Sequence, residues 1–320
     1  MSHRKIDMVY TWVNHRDKNW QDKFYKYKSL SSANEAIQNC RFYDNDELKF
    51  SLRSLEKFAP WINHIYIITD NQNPKWLNVD HPKITLVNHC DILPSEALPT
   101  FNSNAIEMCL CNISGLSEYF LYGNDDTFFG NYVSSSFFYT PSGYPICRFF
   151  RRISPKPTSL WEQALNNSAN CLTKHNYNFP KLQPHHNIDA YRKSIISECK
   201  NIFMQEAKNT ENNKFRTEDD IERNIFSLYA VATKKGIKKE VYRYDRHKIF
   251  VKRFIKYLLK GSANESCYWG SDNPNIEKEF NNYLPKLFCI NDNENTTSED
   301  RKRIKNFLEK IFPDKSSYEK

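Results

Sequence analysis

Short unbroken apolar runs alternate with amphipathic segments over the first 130 residues, and that alternation sets the expected architecture. IDMVYTWV (6–13) is rich in β-formers and reads as a buried strand. Between 42 and 60 the pattern turns helical. Leu48, Leu52 and Leu55 form one apolar stripe, and Pro60 closes it. Asp44 is expected to cap that helix, with Glu47 three residues on as its reciprocal partner. HIYIITD (64–70), ITLVNHCD (84–91) and FLY (120–122) read as further strands, with a helix expected over 104–118. Strand–helix–strand repetition of this kind implies parallel pairing and an α/β core.

The pattern has a functional consequence, because ligands of such sheets collect beyond the carboxyl ends of the strands. Asn14, Asp17, Asp70, Asp91, Asp125 and Asp126 are all expected at that edge. After residue 133 the periodicity weakens. Residues 141–187 read as loops with short elements, and a helix is expected near Glu218. The segment 246–261 is basic and amphipathic, which suits either an anionic membrane surface or packing on the core. A last helix is expected after Thr297, which pairs with Asp300 as a cap and buries Ile304, Phe307, Leu308 and Ile311.

Composition narrows the function classes. Aromatic residues reach 15% against a hydrophobic content of only 39%, so large rings supply the core and disorder is not expected. Nine cysteines without a CxxC pair or a secretory apolar region point to free thiols in a reducing, cytoplasmic setting. No apolar run is long enough to span a bilayer. The net charge of +8 suits anionic ligands, but no zinc finger, RNP-like motif or Arg-rich arm accompanies it, so nucleic acid is not the expected partner. There is no P-loop, GxGxxG or GxSxG motif, which argues against kinases, ATPases, simple dinucleotide oxidoreductases and serine hydrolases.

Three clusters remain as candidate chemistry. The first is Asn124-Asp125-Asp126, after the fourth strand. Adjacent carboxylates repel unless solvent, a helix terminus or a divalent cation compensates them, and a cation would also bridge phosphates. The second is QPHHNID, with His185 and His186, either of which can act as a base near neutral pH. The third is KFRTEDD, in which Arg216 can grip a phosphate bidentately and Asp219 or Asp220 can fix it. Arg53 and the pair Asn291–Asp292 are weaker candidates, each with an ordinary surface or turn reading.

Taken together, these segments resemble the Stealth family of sugar-phosphate transferases. IDMVYTWVNHRD looks like its first conserved block. RFYDNDELKFSLRSLEKFAPWINHIYIITDNQNPKWLN, continuing through LPTFNSNAIEMCLCNISGLSEYFLYGNDDTFFG, is close to the second. PHHNIDAYRK through NKFRTEDD resembles the third, and LFCINDN the fourth. One departure stands in the first block, where His15 and Arg16 replace the usual glycine and small residue.

The resemblance implies a Rossmann-like, GT-A-type α/β core with a mainly parallel sheet and helical C-terminal additions. It implies a nucleotide-sugar-binding part over 1–135, acceptor and catalytic loops over 136–245, and a helical region over 246–320. The implied reaction moves a sugar-1-phosphate from a UDP-hexose or UDP-N-acetylhexosamine to a hydroxyl of a growing capsular polysaccharide. UMP is released and a phosphodiester forms, with Mg²⁺ or Mn²⁺ as cofactor. Asp125 and Asp126 would hold the metal. Asn14, Asp17, Arg53, Asn124, Asn291 and Asp292 would line the donor site. His185, favoured over His186, would be the base, and Arg216, Asp220 and Asp126 would serve catalysis. The acceptor would be a capsular oligosaccharide, lipid-linked at the inner membrane face, where the basic segment or capsule assembly proteins would dock the enzyme. The rivals are a conventional glycosyltransferase that releases UDP and a carbohydrate-binding protein without turnover.

Overall fold

The computed structural model describes residues 4–31, 33–241 and 265–320, so the basic segment 246–261 lies outside the described residues. The strands are β1 (Ile6–Thr11), β2 (Ile65–Thr69), β3 (Ile84–Asn88), β4 (Tyr119–Asn124), β5 (Thr127–Phe129), β6 (Ile146–Arg152), β7 (Leu182–Pro184), β8 (Asp189–Arg192), β9 (Ile237–Glu240), β10 (Ser266–Gly270) and β11 (Leu287–Asn291). The central sheet has the order β3-β2-β1-β4-β8. Its first four strands are parallel, and β8 closes the edge antiparallel to β4. The 3-2-1-4 order is that of a Rossmann-like half, which bears out the expected mixed α/β core with a mainly parallel sheet. β1 and β2 are buried along nearly their whole length, as strands covered on both faces must be.

Two small sheets flank this core. One has the order β10-β11-β5 and the other β7-β6-β9. The first positions the site. β4 belongs to the central sheet, β5 belongs to the flanking one, and only Asp125 and Asp126 separate them. β5 runs antiparallel to β11, with Thr127 opposite Cys289, and Ile290 N donates to Asp126 O at 3.1 Å. The carboxylate pair is thereby clamped where two sheets meet.

α1 (Lys18–Tyr27) follows the first strand, and α2 (Glu47–Phe58) buries Leu48, Leu52 and Leu55 as expected. The expected Asp44–Glu47 capping box does not form. Asp46 occupies the cap position at φ 69° without a side-chain cap. Asp44 instead accepts from Asp46 N, and Glu47 accepts from the backbone and side-chain nitrogens of Asn45. The buried face of α2 also carries two serines. Ser51 Oγ donates to Thr127 O at 2.6 Å and pairs with the Tyr10 hydroxyl, while Ser54 Oγ accepts from Phe129 N at 3.0 Å. Both fasten β5 from below.

The helix expected over 104–118 is shorter, covering Ser103–Met108 and then a single 3-10 turn. The one expected near Glu218 begins later, at Asn224. The last helix, Ser298–Ile311, has the Thr297–Asp300 capping box and buries Ile304, Phe307 and Leu308. All nine cysteines are free. Among the described residues no helix is long and apolar enough to cross a membrane.

Candidate active site

A cleft of about 630 Å³ opens over the carboxyl ends of β1 and β4 and the end of β11. Asn124, Asp125, Asp126, His185, His186, Arg216, Asn291 and Asp292 line it, so four distant stretches of sequence converge. Trp12, Phe101, Trp161 and Tyr268 give it flat aromatic walls.

One wall is acidic. Asp125 and Asp126 stand beside Glu47, which also lines the cleft, and Asp44 lies close behind. Burial, then the charges of Asp126, Glu47 and Asp44, holds the Asp125 carboxyl well above the usual carboxylate range. Burial pushes Glu47 up to about 8, with the Asp44 charge adding and the Asn45 hydrogen bonds opposing. Asp126 is also raised by burial, against hydrogen bonds from Asn291 and Cys289. Its Oδ2 accepts from Asn291 Nδ2 at 2.8 Å and lies 3.4 Å from Cys289 Sγ. Its Oδ1 is buried with no hydrogen-bond partner among the described residues. An orphaned carboxylate oxygen among mutually repelling acids fits a hard divalent cation, whose preferred ligands are oxygens.

The same cleft also carries positive charge. Arg41 and Arg216 both line the cleft, and burial together with the Arg216 charge lowers Arg41 to about 10. Arg41 is fixed by Glu35, and Arg216 donates to Ser103 Oγ. The arrangement can hold a dianionic group between a cation and two guanidiniums.

The two histidines have different surroundings. His185 is buried, with Nε2 on Asp189 Oδ1 at 3.1 Å and Nδ1 on Ser266 Oγ at 2.8 Å. Asp189 is in turn paired with the buried Arg223. His186 is only half-buried, set edge-on to Trp161 and Tyr268. Neither of its ring nitrogens meets a protein hydrogen-bond partner among the described residues, and one lies within 4.8 Å of a carboxylate oxygen of Asp126. Burial, then the positive Arg223 and Arg216, pushes His186 down to about 3, so the ring is neutral.

Other expected site residues are engaged elsewhere. Arg53 is outside the cleft. Its guanidinium forks onto Glu319 at 2.7 Å and donates to Phe312 O, anchoring the end of the chain to α2. Asp220 is fully buried and accepts from the side-chain amides of Asn102, Asn104 and Asn213, so it ties the Arg216 loop down instead of facing a ligand. Asp17 caps α1 by accepting from Trp20 N, and Asn14 closes the turn before it by exchanging bonds with Gln72. Asp70 pairs with Lys23, and Asp91 completes a capping box with Asn88. Asp292 reaches the cleft but is paired with Arg301. Sequence reasoning missed Glu47, Arg41, Ser51 and Ser54. Glu47 carried a signal, since DNDE crowds three acids into four residues.

Comparison with known proteins identifies related chains. Residues 41–146 match Stealth protein conserved region 2, and residues 281–320 match conserved region 4. The chain is 32% identical over 302 residues to the capsular polysaccharide phosphotransferase fcs1 of Haemophilus influenzae, covering 90% of this chain and 78% of that protein. It is 32% identical over 309 residues to the capsular polysaccharide phosphotransferase LcbA of Neisseria meningitidis, covering 90% and 77%. Among solved structures, the glycosyltransferase GlyE of Streptococcus pneumoniae TIGR4 aligns over 97% of this chain and 62% of its own. That alignment has a TM-score of 0.44 and 10% identity.

Proposed function

The chain belongs to the Stealth family, and on that premise we propose that it transfers a sugar-1-phosphate from a UDP-hexose or UDP-N-acetylhexosamine to a capsular polysaccharide hydroxyl. The carrying observation is that the acids Asp125, Asp126 and Glu47, the arginines Arg41 and Arg216, and the imidazole of His186 all line one cleft. A glycosyl transfer to a hydroxyl also needs charge on the leaving diphosphate and a base, so the choice between the two leans on the capsular phosphotransferase relatives. Transfer of the phosphoryl group itself needs positive charge around the reacting phosphorus and a base for the attacking hydroxyl.

The donor diphosphate lies in that cleft in this reading, with its base or sugar against the aromatic surfaces. Asp125 and Asp126 hold Mg²⁺ or Mn²⁺, which when bound neutralises diphosphate charge. Arg216 and Arg41 take the phosphoryl oxygens. The acceptor oxygen forms a bond to the β-phosphorus, and the bond from that phosphorus to the bridging oxygen breaks. UMP leaves with the electron pair. His186, whose ring nitrogens meet no protein hydrogen-bond partner among the described residues, takes the acceptor proton and, as its lowered titration requires, passes it on to solvent. This reassigns the base from His185, whose two nitrogens are already held by Asp189 and Ser266. His185 keeps the loop in place. The acceptor is a capsular oligosaccharide, and its attachment to lipid is part of the same proposal.

The nucleotide product tests the reading. Purified protein with Mg²⁺ or Mn²⁺, a panel of UDP-sugars and a short capsule oligosaccharide should release UMP and yield a ³¹P phosphodiester signal. Release of UDP without that signal would make it a conventional glycosyltransferase.

A further inference from the structure

The acidic wall contains softer donors than the proposed reaction uses. β5 and β11 pair so that Cys289 stands opposite Thr127, one residue beyond Asp126. Its sulfur lies 3.4 Å from Asp126 Oδ2, and one nitrogen of His186 completes a trio whose ligand atoms all lie within 4.8 Å of one another. Bond lengths of about 2.0–2.3 Å around a tetrahedral Zn²⁺ put neighbouring ligand atoms roughly 3.3–3.7 Å apart. The Asp126–Cys289 pair is already at that separation, and the His186 nitrogen lies within 4.8 Å of both. The oxygen at that separation, Oδ2, also accepts from Asn291 Nδ2 and has a second lone pair for an ion, while Oδ1 is buried with no partner among the described residues. Asp126 and His186 line the cleft, which supplies a path for the ion and an open fourth position.

We infer that Asp126, His186 and Cys289 form a second metal-binding mode of this cleft, one that takes a thiophilic divalent ion such as Zn²⁺ or Co²⁺ and blocks the transfer. The inference rests on the functional reading above only for its consequence, since the ligand geometry stands without it. A hard cation is bound by carboxylate oxygens and leaves the thiol protonated and the imidazole free. A thiophilic ion displaces the thiol proton to solvent, bonds the thiolate and occupies the imidazole. The base is then lost, and the oxygen-ligated cation is excluded from Asp126. Affinity should follow thiolate preference, with Zn²⁺ above Co²⁺ and Mg²⁺ inert in this mode.

Cobalt makes the site visible. Full-length protein free of other divalent ions is titrated with Co²⁺, and the expected result is a near-ultraviolet thiolate-to-cobalt charge-transfer band saturating at one equivalent. Zn²⁺ should erase it and excess Mg²⁺ should not. Cys289→Ser should remove the band, and His186→Ala should weaken Co²⁺ binding at least ~10-fold. Cys40→Ser and Cys267→Ser, at the two cysteines that line the cleft in front of the buried Cys289, should keep it. Absence of the band in the wild-type protein, or its survival in Cys289→Ser, overturns the proposal. Should Cys289→Ser not fold, undiminished Co²⁺ affinity in His186→Ala overturns it equally. Mg²⁺-supported UMP release is read separately. UMP without the band refutes the thiolate mode alone, and the band without UMP refutes the donor reading alone.

Discussion

Asn291 Nδ2 donates to one oxygen of Asp126 at 2.8 Å, while the other oxygen of that carboxylate is buried and has no partner among the described residues. Asn291 lies at the end of β11 and Asp126 at the turn into β5, so the contact exists only because the flanking sheet docks on the end of β4. It fixes the carboxylate's orientation and leaves one oxygen for a ligand. Asp126→Asn keeps the shape and removes the charge. Turnover measured as UMP release is expected to fall on the order of 10²-fold or more. Far-UV circular dichroism should be unchanged, and near-normal turnover at saturating metal and donor would dismiss the role.

Asp125 carries a cost that can be read in stability. Its folded carboxyl titrates above the ordinary aspartate range, mainly through burial and then the neighbouring acids. Ionisation therefore opposes folding, and the opposition grows as pH rises from the ordinary value toward the folded one. In metal-free buffer at neutral pH, Asp125→Asn should have a higher Tm than the wild type, and the difference should vanish in acid. Mn²⁺ or Mg²⁺ should raise the wild-type Tm and leave that of the variant nearly unchanged. A lower Tm for the metal-free variant would mean that the acidic wall is not under repulsion.

The histidine pair separates by assay. His186→Ala should lose transfer on the order of 10²–10⁴-fold, the range of a lost general base, while UDP-sugar binding by calorimetry persists. His185→Ala leaves the buried Asp189 with one partner fewer and should cost about 1–3 kcal/mol in urea unfolding. A larger kinetic effect of His185→Ala at unchanged stability would return the base role to His185.

How far the sequence carried the site depended on whether each side chain's partner was local. Strand periodicity placed β1 to β4 and hence the edge on which Asp125 and Asp126 sit. It could not separate them from Asp17, Asp70 and Asp91, which the same edge consumes in a helix cap, an ion pair and a capping box. Those uses depend on loop geometry a few residues away. The Stealth resemblance was legible and correct, and with it came Arg53. In the folded chain Arg53 is spent on Glu319, 266 residues later, a partner no local pattern reveals. The same stretch holds Ser51 and Ser54, which fasten β5 beneath the carboxylates. Asp220 reads from the sequence as an acid near Arg216, but three amides from two segments, Asn102 and Asn104 in one and Asn213 in the other, enclose it. Its work is to hold the loop, an assignment that requires knowing burial.

The Arg53–Glu319 fork supplies the last test, one of stability and not of catalysis. Glu319 is almost wholly buried, its side chain 3% exposed, and Arg53 is 11% exposed. Burial alone would raise the glutamate, but hydrogen bonds from Arg53 and Ser316 hold it below the ordinary range. A depressed carboxyl stabilises the fold above the unfolded glutamate value, and that contribution disappears as pH falls through the lower folded value. Arg53→Ala leaves the carboxylate with its Ser316 bonds alone and should cost about 1–3 kcal/mol at neutral pH by denaturant unfolding. Glu319→Gln should be less stable than the wild type near neutrality. The gap should narrow as pH falls from the ordinary glutamate value through the lower folded one, because the wild-type carboxyl protonates there and comes to resemble the amide. A gap that stays constant across that window would mean that the ion pair contributes nothing through its charge. A loss of UMP release in Arg53→Ala beyond its loss of folded protein would return the arginine to the active site.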